Sequence, residues 1–151
     1  MVLAVLMAAQ VAAASLRVGV DDGSEAIVQV VDEPRTGYRL KVDCVSRCAR
    51  PLHFVMPVSD TPMGLVNLDR DGLIYSVWGT GCCYVVRVWR VTSSGVAKVL
   101  ESGSRYIPSL IMLPTLTVVT YMRPTDAHDR EISPSPRPFK WTYKHGRFGR
   151  S

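Results

Sequence analysis

Beyond its first fourteen residues the sequence has no segment in which apolar side chains recur every 3.6 residues over three turns, which excludes amphipathic helices as its building blocks. Past the same point it has no apolar run approaching the roughly 20 residues a helix needs to cross a bilayer, so no transmembrane segment is expected. Catalytic signatures are equally sparse. There is no Gly-rich phosphate cradle, no G-x-S-x-G nucleophile elbow and no H-x-x-x-H doublet. Nor are there the two separated C-x-x-C knuckles of a structural zinc site, or a C-x-x-C beside a βαβ unit as in a thioredoxin-like redox centre. No cofactor and no metal ion are expected.

What is present reads as a folded β-protein. The 151 residues are 47% apolar and 21% charged, ordinary for a globular chain and enough to bury a core. The net charge is +5, a mild attraction toward anionic partners, or a solubility surplus without one. Residues 1–14, MVLAVLMAAQVAAA, combine an apolar run with the small residues Ala12-Ala13-Ala14 before Ser15. This matches the apolar core and A-x-A cleavage pattern of a signal peptide, although no Lys or Arg precedes the run. The alternative is a buried N-terminal strand or helix.

The centre of the chain is Leu73-Ile74-Tyr75-Ser76-Val77-Trp78, then Gly79-Thr80-Gly81, then Cys82-Cys83-Tyr84-Val85-Val86-Arg87-Val88-Trp89-Arg90-Val91. Two runs of β-branched and aromatic residues around a Gly-x-Gly connection predict a β-hairpin that supplies the core. Further strands are expected over residues 16–20, 26–31, 38–45, 52–56, 96–100, 106–112, 116–122 and 139–144, with a stub at Arg147-Phe148. The prolines of residues 57–62 read as a loop. Residues 123–138 form a long polar, Pro-rich loop able to present contacts. The expected fold is one all-β domain over residues 15–151, a small antiparallel sandwich or barrel, with a partial propeller-like meander as the alternative. Asp69-Arg70-Asp71-Gly72 followed by apolar residues resembles the opening of a propeller-blade repeat without its later acidic ligand, and identifies no family.

Cys44, Cys48, Cys82 and Cys83 are an even set in a chain with an export pattern, so two structural disulfides are expected. Neighbours in a strand point to opposite faces, so Cys82 and Cys83 are expected to pair with different partners, Cys44 and Cys48. Asp69 to Gly72 reads as a plain turn rather than half of a calcium loop, because no carboxylate follows it. Of the three histidines, His128 has acidic neighbours: with Asp126, Asp129 and Glu131 it is the one candidate acid–base cluster.

The best binding candidates lie at the C-terminus. Phe139, Trp141 and Tyr143 alternate with Lys140, Thr142 and Lys144, with Arg137 and Arg147 alongside. Rings interleaved with cations can stack on sugars or bases and hold carboxylates or phosphates. The same alternation is expected of a strand that buries its rings and solvates its lysines. The sequence therefore reads as an exported, disulfide-bearing β-module, binding or inhibitory rather than enzymatic. Its partner would be an anionic envelope polymer, a lipid headgroup or an acidic protein, and no nucleic acid. The alternatives are an envelope hydrolase built on His128 and an assembly subunit that pairs through a strand edge.

Overall fold

The computed structural model describes residues 15–123, 125–128, 130–132 and 135–151. The leader pattern of residues 1–14 and the candidate Asp129 lie outside the described residues. The described chain is all-β, with twelve strands in three four-stranded antiparallel sheets. The first sheet has β1 (Ser15–Gly19), β2 (Glu25–Glu33), β3 (Gly37–Ser46) and β4 (His53–Val58) in chain order. The second has β5 (Thr61–Asn67), β6 (Leu73–Gly79), β7 (Tyr84–Thr92) and β8 (Gly95–Ser104). The third has β9 (Ser109–Ile111), β10 (Thr117–Met122), β11 (Arg137–Lys144) and β12 (Arg147–Arg150). Every paired strand is a neighbour in the chain, so each sheet is an up-and-down meander, and none closes into a barrel.

The second sheet is the middle layer. On β6, Ile74 and Trp78 join Trp89 and Val91 of β7 in a core cluster with Val18, Val28, Leu40 and Val42 of the first sheet. The alternate residues Leu73, Tyr75 and Val77 join Val86, Val88, Leu110, Val118 and Tyr143 in a cluster against the third sheet. A strand covered on both faces reads as a continuous apolar run instead of an alternation. That is why residues 73–78 look as they do. Each large apolar side chain buried here contributes roughly 1.5–3 kcal/mol.

Two strands depart from the sequence expectation. The loop expected over residues 57–62 shrinks to Ser59 and Asp60, because β4 runs on to Val58 and β5 begins at Thr61. Pro62 is tolerated because β5 is an edge strand, and the register slips between Pro62 and Gly64, which absorbs the irregularity. The expected strand over residues 106–112 shrinks to the three residues of β9. At the other end of that sheet the stub becomes β12, closed onto β11 by a two-residue turn in which His145 and Gly146 both have positive φ, 50° and 77°.

Candidate functional site

Charge is distributed unevenly along the chain. Ten Lys or Arg and ten Asp or Glu precede Arg105, whereas eight basic and three acidic residues occupy positions 105–151. The whole surplus of +5 therefore belongs to the last third, which contains the third sheet. Its strands β9 to β12 carry no carboxylate at all.

The alternation of β11 decides which side chains meet. Tyr143 is buried and Trp141 half-buried against the second core cluster, with Trp141 Nε1 donating to Thr120 Oγ1 at 3.1 Å. Phe139 shares their face and lies beneath the Arg150 guanidinium, 4.1 Å from the ring centroid. Lys140 and Lys144 are exposed on the opposite, outer face. Arg147 is directly across from Lys144 in the register and so joins them there. Of the five sequence-predicted binding residues, the structure thus brings Lys140, Lys144 and Arg147 to one face. Arg137 is exposed at the start of β11 on the face of the rings, and Trp141 turns inward. None of the four cations forms an ion pair among the described residues. Like charges directly opposite on a ladder are destabilising. Lys144 and Arg147 form such a pair, and a bound anion would relieve it.

The loop between β10 and β11 is organised around two carboxylates. Asp126 Oδ1 accepts the backbone N–H groups of His128 and Arg130 at 2.8 and 3.0 Å, and Oδ2 accepts Arg130 Nε at 2.9 Å. The Arg130 amide, then the His128 amide, hold the Asp126 carboxyl below its usual range. Asp126 therefore meets the backbone of His128, and the imidazole stands exposed. The cluster expected of a hydrolase is not assembled by these two residues. Glu131 accepts from both Arg105 Nη2 and Arg123 Nη1, and its pKa is lowered chiefly by Arg123. Neither arginine was marked by the sequence, because 26 and 8 positions separate them from Glu131.

The cysteines pair differently from the expectation. Cys44 bonds Cys48, and Cys82 bonds its neighbour Cys83. Cys82 and Cys83 lie in the bend before β7, not in a strand, so the opposite-face argument does not apply to them. Cys44 and Cys48 meet across a turn in which Arg47 has positive φ, with Cα atoms 6.0 Å apart. No disulfide ties the third strand to the central hairpin.

A cleft of about 480 Å³ opens where the three sheets meet, lined by Asp21, Asp71, Arg90 and Tyr143 among others. Its Asp21, Asp71, Arg90 and Tyr143 side chains are already hydrogen-bonded within the protein. Tyr143 Oη donates to Asp71 Oδ2 at 2.8 Å and accepts from Arg90 Nη2 at 2.8 Å, while Asp21 Oδ1 accepts the Ser93 amide at 2.7 Å. Gly72 fixes the place of Asp71. Its φ is +67°, and a Cβ there would sit 2.2 Å from the Val91 carbonyl oxygen. This cleft is a structural clamp between layers. The expected turn at residues 69–72 is confirmed as the β5–β6 connection, and among the described residues no group of three potential metal ligands is found. No described helix is long and apolar enough to cross a membrane.

Comparison with protein-family models, curated proteins and solved structures found no match to this chain.

Proposed function

We propose that the chain is an exported binding module whose outer third-sheet face, Lys140, Lys144 and Arg147 with Arg137 at the rim, docks an anionic partner of the envelope or extracellular space. The observation that carries this reading is the confinement of the entire charge surplus to residues 105–151, on a sheet whose strands contain no carboxylate. A solubility surplus needs no such segregation, because dispersed charge keeps a protein soluble equally well. A one-signed face raises the local concentration of oppositely charged ligands and steers their approach.

Export is supported by the leader pattern of residues 1–14 and by two paired disulfides, which persist in oxidising compartments. In the same reading, the three successive four-stranded meanders, stacked face to face, are propeller-like blades. Their apolar faces pack against one another in two core clusters, one on each side of the middle sheet. The test is a binding titration with inorganic polyphosphate at low and at about 0.5 M salt. Affinity should fall steeply as the Debye length contracts, and affinity indifferent to salt would overturn the electrostatic reading.

A further inference from the structure

Beside the basic face lies a second cleft, of about 470 Å³, lined by Tyr84, Arg105, Tyr106, Ile107 and Tyr121. It holds half of the chain's six tyrosines, drawn from three separate segments. Tyr106 and Ile107 are 56% and 60% exposed, unusual for large apolar side chains that adjoin one another. Tyr121 lies on the outer face of the third sheet, where its hydroxyl is 3.3 Å from Ser109 Oγ. The pair of β10 and β11 sets Lys140 opposite Val119, so Lys140 is the diagonal neighbour of Tyr121 on that face. From there Lys144 follows at about 13 Å, four residues along the strand, with Arg147 across from it.

Resting on the reading of the basic face, we propose that this cleft seats one ring of an acidic polysaccharide whose carboxylates run on along Lys140, Lys144 and Arg147. The cleft is shallow and open, so it suits contact with one ring of a longer chain rather than enclosure of a whole small ligand. Tyrosine offers a rigid apolar face and a hydroxyl together, at a low cost in side-chain entropy. A pyranose ring needs both: one flat ring against its C–H face, and donors and acceptors for its hydroxyl groups. The arrangement disfavours a nucleobase. Tyr106 and Tyr121 touch each other at 6.1 Å between centroids and are tilted by 51°, which leaves no parallel slot for a flat base. Arg105, held by Glu131 and by a contact to Cys83 Sγ at 3.5 Å, fixes the floor of the cleft in position.

The experiment measures the affinity of the full chain for a galacturonate tetramer, for inorganic polyphosphate and for a short oligothymidylate. It compares the wild type with Tyr106→Ala and with the triple variant K140Q/K144Q/R147Q, each checked for folding by circular dichroism. Tyr106→Ala should weaken the uronate by about tenfold or more and leave polyphosphate unchanged, since a stacking contact has been lost and no charge has. The triple variant should weaken both. Saturation-transfer NMR on the wild type should show magnetisation passing from tyrosine ring protons to the sugar C–H protons. Uronate affinity unmoved by Tyr106→Ala, with no such transfer, overturns the saccharide site while the basic face stands. Oligothymidylate bound more tightly than the uronate, through Tyr106, overturns it in favour of a base. Polyphosphate and uronate both unaffected by the triple variant would instead overturn the basic-face reading.

Discussion

The hydroxyl of Ser76 accepts both indole N–H groups of the central layer, Trp78 Nε1 at 2.9 Å and Trp89 Nε1 at 3.0 Å, and donates to the Arg87 carbonyl at 3.0 Å. One donor and two lone pairs are all that a serine hydroxyl has, and all are used. Ser76 is fully buried in the middle of an apolar run. Its polar atom is what allows two tryptophans to be buried on the same face.

Replacing Ser76 by Ala should therefore cost far more than a methyl-sized change suggests. Two buried indole donors lose their acceptor, at about 1–3 kcal/mol each, so a total destabilisation of about 2–6 kcal/mol is expected. Urea unfolding followed by tryptophan fluorescence measures it through the midpoint at constant slope.

The clamp between layers makes a second prediction. Tyr143→Phe keeps the ring in the core and removes the hydroxyl that links Asp71 to Arg90, at a cost of about 1–2 kcal/mol. Asp71→Asn should cost less, because the amide oxygen, turned to the place of Oδ2, can still accept from the phenol. The comparison of the two melting temperatures checks the role of the clamp.

Much of this core was legible before the fold was known, and the reasons are local. The run at residues 73–78 announces a buried strand, and the alternation of Tyr38, Leu40, Val42 and Cys44 with Arg39, Lys41 and Asp43 announces a half-buried one, as found in β3. Strand β5 was hidden by Pro62 and Gly64, whose irregularity is accommodated only at a sheet edge with a register slip. The disulfides were mispaired because a strand conformation was assumed for Cys82 and Cys83, which lie in a bend. The outer-face lysines were readable from alternation alone. The convergence of Tyr84, Tyr106 and Tyr121 was not, since separations of 22 and 15 residues carry no periodic signal and the three meet only through the stacking of two sheets.

Alkaline pH should probe the middle layer. Burial pushes the Tyr75 phenol well above its ordinary value of 10.0, because the fold disfavours the phenolate. The neutral phenol thus contributes stability that is fully present below pH 10 and is lost as pH rises from there toward the folded-state value. Burial, with Asp71 adding to it, moves Tyr143 in the same direction. Unfolding free energies measured from pH 9 to 12 should decline, and Tyr75→Phe should flatten that decline. An identical decline in the variant would contradict the assignment.

Disulfide connectivity is open to direct mapping. Non-reducing tryptic digestion should leave Cys82 and Cys83 in a single peptide lighter by two hydrogens, and should join the peptides that end in Arg47 and Arg70 through Cys44 and Cys48, since Pro51 blocks cleavage after Arg50. A cross-linked peptide containing one cysteine from each pair would contradict the structure.

The central claim is that location, not total charge, makes the basic face a binding surface. The most direct measurement is the salt concentration at which the protein elutes from an immobilised polyanion, for wild type, K140Q/K144Q/R147Q, and R35Q/R50Q/R70Q. Arg35, Arg50 and Arg70 are exposed, unpaired by any carboxylate among the described residues and lie before Arg105, so both variants lose three charges. Elution of K140Q/K144Q/R147Q at markedly lower salt, with R35Q/R50Q/R70Q close to the wild type, is the predicted result. Equal shifts in the two variants would show that only net charge matters, and would contradict the account.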